Sequence, residues 1–156
     1  MDATQLLKKD HKDVKALFQE FEQLRGRAAQ KKQAVVMQLC HALTVHAQVE
    51  EELVYPLLKT LRPREIKDLV AEAAEEHKVA KTLIGELKTL LPDNEQYEAK
   101  VTVLGEYVQH HVKEEEQELF PKARQHLSAK RLTELGEQIA TRKEALSNAD
   151  TNMQAA

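Results

Sequence analysis

Apolar residues recur at three- and four-residue intervals along nearly the whole chain, which is the period of an amphipathic α-helix. The first stripe is Leu7, His11, Val14, Leu17/Phe18, Phe21 and Leu24, ending near Gly26. A second helix is predicted from about Gln30 to Thr60, with Val36, Leu39, Leu43, His46, Glu50, Leu53 and Leu57 on one face. Pro63 suits the first position of a third helix. That helix is striped by Ile66, Val70, Ala73, His77, Ala80, Ile84, Leu87 and Leu91 and stops at Pro92. Asp93 or Asn94 can cap a fourth, which carries Val101, Leu104, Val108, His111, Glu115 and Leu119. Ser128 can cap a shorter fifth, with Leu132, Leu135, Ile139 and Leu146 inward, and residues 148–156 read as a disordered tail. Short links between long helices make neighbours antiparallel. Residues 1–147 are therefore expected to form one all-α domain, an up-down four-helix bundle with an added C-terminal helix.

Composition narrows the class. Four Gly and four Pro in 156 residues are too few turn-formers for an all-β fold. No run of 18 apolar residues occurs, so no membrane partner is expected. The net charge of −3 offers no global basic field, so no nucleic-acid partner is expected either. The single cysteine, Cys40, cannot form an internal disulfide, which fits a reducing, cytoplasmic setting. It reads as a small buried hydrophobe. The seven histidines decide the reading.

The chain repeats itself. DHKDVKALFQEFEQL from Asp10 aligns with EHKVAKTLIGELKTL from Glu76, and HAQVEEELVYP from His46 aligns with HVKEEEQELFP from His111. His77 follows His11 by 66 residues (77 − 11), while His111 follows His46 and Glu115 follows Glu50 by 65 (111 − 46, 115 − 50). A helix pair is thus present twice, which packs naturally about a pseudo-twofold axis. The copies retain a His, a His-x-x-x-Glu and an aromatic-Pro, with Tyr55 matched to Phe120.

His11, His46, Glu50, His77, His111 and Glu115 all fall on the apolar stripes. Four-residue spacing stacks each His over its Glu on one helix face. A bundle then aims four imidazoles and two carboxylates at its own axis. Burying two ionised carboxylates costs several kcal/mol each unless something pairs with them, and no Lys or Arg lies on the stripes beside them. Divalent cations supply that charge. Six ligands exceed one tetrahedral zinc but suit two metals, each with two His and sharing both carboxylates. Imidazole and carboxylate ligands inside a helical bundle are the setting of di-iron and di-manganese sites.

These residues resemble the hemerythrin-like (HHE cation-binding) family, through DHKDV at His11, HAQVEEELVYP at His46, EEHKV at His77 and HVKEEEQELFP at His111. The resemblance covers about residues 4–125. It implies a four-helix bundle holding two non-haem irons, bridged by oxo or hydroxo groups and carboxylates. His11 and His46 would hold one iron, His77 and His111 the other, with Glu50 and Glu115 bridging. Manganese or zinc could take the same ligands. One departure matters: oxygen-carrying hemerythrins have a fifth His four residues before the third-helix His, and here that position is Ala73. Both metals should then keep exchangeable positions, which argues against simple oxygen carriage.

The leading expectation is a di-iron protein that reacts with O2-derived species, with catalase-like peroxide breakdown or oxidative-stress protection as its sharpest form. The alternatives are an O2- or iron-sensing protein without turnover, and a nitric-oxide or iron–sulfur repair role. Small molecules (O2, peroxide or NO) are the expected partners, with the chain a monomer or homodimer. Tyr107, one turn before His111, could supply a proton or a spare ligand, or sit in the core with its hydroxyl satisfied. His41, His110 and His126 are expected not to be ligands, and Glu51 and Glu116 to be solvated or to swing inward. Pro56 and Pro121 should kink or end their helices.

Overall fold

Asp2 opens the chain's first helix. Its carboxylate accepts the Gln5 amide at 3.1 Å while the Gln5 side chain accepts the Asp2 amide at 3.0 Å, a reciprocal capping box. This is a computed structural model describing residues 1–155, with side chains described through Ala149. The expected tail at 148–156 falls, beyond Ala149, outside the residues whose side chains are described. The elements are α1 (Ala3–Gln23), α2 (Ala29–Val49), π1 (Glu50–Val54), α3 (Tyr55–Lys59), α4 (Arg64–Thr89), α5 (Tyr97–Glu114), π2 (Glu115–Leu119), α6 (Phe120–His126) and α7 (Ala129–Ala155). No strand occurs among the described residues. The α2–π1–α3 and α5–π2–α6 runs are each one continuous rod, so the bundle is α1, the first rod, α4 and the second rod, with α7 laid on α1 and α2.

Three expectations about helix ends are corrected. Pro56 and Pro121 do not end their helices. Proline lacks the N–H that an α-helix needs, and each helix accommodates it by widening for one turn, with Tyr55 N–H donating to Glu50 O and Phe120 N–H to Glu115 O, five residues back. Such π segments recur at functional sites, and each begins at one of the two axial glutamates. Leu91 does not continue the α4 stripe. The backbone is already extended at Leu90, ahead of the residue that Pro92 keeps out of the helical region, and Leu91 is 67% exposed. Asn94 shapes the following turn, accepting the Gln96 amide at 2.8 Å, but neither it nor Asp93 caps α5. Ser128 does act at the start of α7, accepting the Arg131 amide at 3.1 Å.

The core is divided. One apolar cluster gathers Leu7, Val49, Tyr55, Leu58, Ile66, Val70, Ala73, Phe120 and Ile139; the other gathers Val14, Phe21, Val36, Leu39, Cys40, Ile84, Tyr97 and Leu104. Burial pushes the Cys40 thiol up to about 11, as suits an inert packing residue. Between the clusters lie His11, His46, Glu50, His77, His111 and Glu115, all buried.

Two of the four glycines stand at opposite extremes. A Cβ on Gly136 would meet Met1 O at 2.7 Å and Ala3 N at 3.0 Å, so this glycine lets α7 lie against the start of α1. A Cβ on Gly85 would meet nothing within 4 Å. Thermal or denaturant unfolding should show Gly136→Ala destabilised by about 1–3 kcal/mol. Gly85→Ala should be stabilised by roughly 0.5–1 kcal/mol, the gain of alanine over glycine in an open helix interior.

Candidate metal centre

The centre is built from one helical turn on each of four rods. His11 comes from α1, His46 and Glu50 from α2 and the start of π1, His77 from α4, and His111 and Glu115 from α5 and the start of π2. The structure brings together all six residues expected from the sequence. Their ligand atoms form two trios, His11/His46/Glu115 and Glu50/His77/His111, each with its atoms within 4.8 Å of one another. Glu50 Oε1 lies 3.1 Å from His46 Nε2 and 3.2 Å from His77 Nε2, so one carboxylate spans both trios. Glu115 Oε1 lies 2.7 Å from His111 Nε2 and 3.7 Å from His11 Nε2, spanning them in turn.

The other ring nitrogens face carboxylates. His46 Nδ1 is 2.9 Å from Asp10 Oδ2, His11 Nδ1 is 2.7 Å from Glu116 Oε2 and His111 Nδ1 is 3.1 Å from Glu76 Oε1. His77 Nδ1 faces Glu51 Oε2 more loosely, at 3.4 Å. An ionised carboxylate only accepts hydrogen bonds, so the three bonded Nδ1 atoms must carry the proton, leaving Nε2 as the donor atom aimed at the axis. The sequence carries this arrangement as acids beside the ligands: Asp10 precedes His11, Glu76 precedes His77, and Glu51 and Glu116 follow the axial glutamates. The expectation that Glu51 and Glu116 are solvated or turn inward missed this role, because a partner across the bundle is invisible to spacing along one helix. Lysines then hold the outside, Lys81 pairing with Glu51 at 2.6 Å and Lys143 of α7 pairing with Asp10.

At the axis the polar atoms are orphaned. Nε2 of His11 and His46 and both oxygens of Glu50 and Glu115 are buried without a hydrogen-bond partner, although native interiors leave few such groups unpaired. Several are close to one another but misaligned for hydrogen bonding, as atoms converging on shared points would be. The donor set fits borderline divalent metals. Burial by itself disfavours a charged imidazole at His46, but Glu50, Asp10 and Glu115 outweigh it and push the group up to about 10. At His111 the same balance, led by Glu115 against burial, also raises the imidazole strongly. Burial would raise Glu50, yet His46 and its neighbours hold its carboxyl well below the usual range.

The two halves differ at the aromatic position. Tyr55 Oη is 3.3 Å from His77 Nε2 and 3.4 Å from His111 Nε2. Its repeat partner Phe120 stacks on the His11 ring with centroids 6.1 Å apart and planes 6° apart. Burial, then Glu50 and Glu115, raise the Tyr55 phenol well above its ordinary value, so its proton stays on. Ala73, where a fifth His was looked for, is buried in the same apolar cluster as Tyr55. From that cluster it is the Tyr55 hydroxyl that reaches the centre. The aromatic-Pro repeat matches Tyr55 to Phe120 in the sequence but carries no sign of this hydroxyl's position. On the opposite side a cavity of about 50 Å³ is lined by all four histidines with Val14, Leu43, Ile84 and Val108. Tyr107 lines it too and is 42% exposed, so it is not the satisfied core aromatic that was its other reading. His110 points outward, between Glu76 at 3.5 Å and Glu114 at 3.6 Å.

Comparisons with known proteins agree with this geometry. Residues 2–123 match the family model of the Hemerythrin HHE cation binding domain. A crystal structure of a hemerythrin HHE cation binding domain-containing protein from Mycobacterium kansasii superimposes with a TM-score of 0.82 at 24% identity, over 96% of this chain and 89% of that one. A Nostoc protein named DNA nickase is 31% identical over 130 residues, 83% of this chain, and the chain spans about a third (35%) of that relative's length. That relative corrects the exclusion of nucleic acid drawn from net charge. Net charge sums the whole surface and is blind to where the lysines stand. No helix among the described residues is long and apolar enough to cross a membrane. The chain is a metal-binding, all-helical protein that belongs to the hemerythrin HHE cation-binding domain family.

Proposed function

We propose that the six axial residues hold two irons and that the centre breaks down peroxide. The orphaned Nε2 atoms of His11 and His46 and the two orphaned carboxylates, beside a cavity of about 50 Å³ lined by all four histidines, carry this reading. That volume suits a diatomic or peroxide-sized molecule. His11, His46 and Glu115 would hold one metal and His77, His111 and Glu50 the other, with both carboxylates shared. Manganese or zinc could enter the same ligands. Two irons, when bound, supply the redox cycling by which one peroxide is oxidised to O2 and another reduced to water. The chain's own residues do the rest. The carboxylate-bound Nδ1 atoms keep the rings oriented, the apolar cavity walls limit water, and the Tyr107 hydroxyl at the cavity passes protons between peroxide and solvent. The buried free thiol of the single cysteine supports a reducing, cytoplasmic setting.

A second reading, sensing without turnover, is favoured by two contacts of α7. Lys143 of α7 pairs with Asp10, which in turn holds His46, and Arg142 pairs with Glu52 in π1 at 2.7 Å. The state of the centre is therefore felt by the added helix.

Elemental analysis of protein from iron-supplied cells should give near two metals per chain, falling by half or more in Glu50→Ala and in His46→Ala. Zinc at one per chain in the wild type would overturn the di-iron reading. Loading metal into metal-free protein at pH 7 should release about two protons, since His46 and His111 are held charged until a cation displaces them. The sign follows from the raised pKa: the imidazolium contribution is complete below the ordinary histidine value and fades as pH rises through about 10. Metal affinity should accordingly climb with pH across that window.

Peroxide-dependent O2 evolution should accompany the iron-loaded form, with Tyr107→Phe slowing turnover by roughly 10-fold or more at unchanged iron content. An iron-loaded protein that evolves no O2 at any pH where metal stays bound would remove the enzymatic reading. For the sensing reading, limited proteolysis should cut α7 faster in metal-free than in loaded protein, and identical patterns would exclude it.

A further inference from the structure

A groove of about 1010 Å³ runs between α1 and α5 and continues to π2, sharing His11, Val14, Val108 and Val112 with the cavity at the centre. Lys8, Lys12 and Lys15 stand along its α1 wall at i, i+4 and i+7, with Lys9 beside them and Lys113 on the facing wall. All five are exposed, and among the described residues none has an ion-pair partner. Three acids also line the groove, but Glu116 is taken by His11 and Glu22 by Arg25, leaving Glu106 without an ion-pair partner. The groove is therefore locally basic on a chain of net charge −3. Its α1 row is about 10 Å long by helical rise, a length that meets about three phosphates of one strand. Phe18, partly buried, lines the same groove beside these lysines, with its ring edge 3.3 Å from the position of a Cβ on Gly105.

We infer that this groove binds a single strand of nucleic acid, with its backbone on the α1 lysines and a base against Phe18. Unpaired cations tracking a groove beside an aromatic platform are the recurring parts of single-strand sites. Duplex bases are stacked inward and cannot reach Phe18, and an acidic peptide has no use for it. The inference stands on the groove alone and does not depend on which metal the centre holds or what it turns over.

The test is fluorescence anisotropy with a labelled 20-nucleotide single-stranded DNA and metal-loaded full-length protein, titrated over KCl. Binding should weaken with salt at a log–log slope of about −3, the value for four or five phosphate contacts on a single strand. K8E/K12E/K15E should weaken binding at least 10-fold and flatten the slope, and K8Q/K12Q/K15Q should do so to a smaller degree. Phe18→Leu should cost several-fold without changing the slope. Metal content and helical circular dichroism should be unchanged in all of them. The inference fails if K59E/K67E/K130E, placed outside the groove, loses as much. It also fails if polyglutamate or the matching duplex binds as tightly as the single strand, or if no salt-dependent binding appears at low salt.

Discussion

Two carboxylates on the axis of the bundle set the terms for everything around them. Glu50 and Glu115 are 0% and 1% exposed, and among the described residues no lysine or arginine is bonded to either of them. A buried carboxylate left uncompensated costs several kcal/mol, so the interior has to bring positive charge to it. Four imidazoles face it from four rods, and in the metal-free protein those of His46 and His111 answer by holding protons. Metal ions answer the same need with more charge. The division of the apolar core into two clusters follows from this one requirement, because a polar layer must cross the bundle where these residues meet.

The duplicated hairpin explains why the layer is nearly symmetric, and its small asymmetries give the two halves different surroundings. Each axial glutamate opens a π turn followed by an aromatic-Pro, so the same backbone device serves both. Tyr55 adds a hydroxyl to one half where Phe120 gives the other only a ring. Asp10 and Glu76 occupy matching positions and hold matching histidines, but Asp10 is tied to α7 through Lys143 while Glu76 faces the solvent-exposed His110. One half is thus anchored to the added helix and the other is open to the surface.

Much of this was legible in the sequence because the signals were periodic. The helix count and the six axial residues follow from stripes at 3.6-residue spacing, and the repeat showed that the polar members of those stripes were retained together. Other features were written less plainly. Pro56 and Pro121 announced irregular backbone, but a proline says only that one hydrogen bond is missing, and the tertiary packing of both flanking turns decides between a break and a π turn. The carboxylates behind the histidines lie across the bundle from them, so no spacing along one helix reveals the pairing. Tyr107 has helical phase near His111, yet it sits on a wall of the cavity that reaches the surface.

Charge was the property that sequence totals misrepresented most. On α1, His11 faces the axis while Lys12, one residue on, is turned by about 100°, so a single helix presents a ligand inward and a lysine row outward at once. The acids that cancel those lysines in the net charge sit largely in ion pairs of their own or behind the histidines. They neutralise the sum without neutralising the groove. Glu116 lines that groove and also accepts the His11 Nδ1 hydrogen bond at 2.7 Å. Anything seated against the lysines therefore lies one hydrogen bond from the centre. The register of α1 fixes this proximity: moving the lysines by one residue would separate the groove from the histidine, and moving the histidine would take a ligand off the axis.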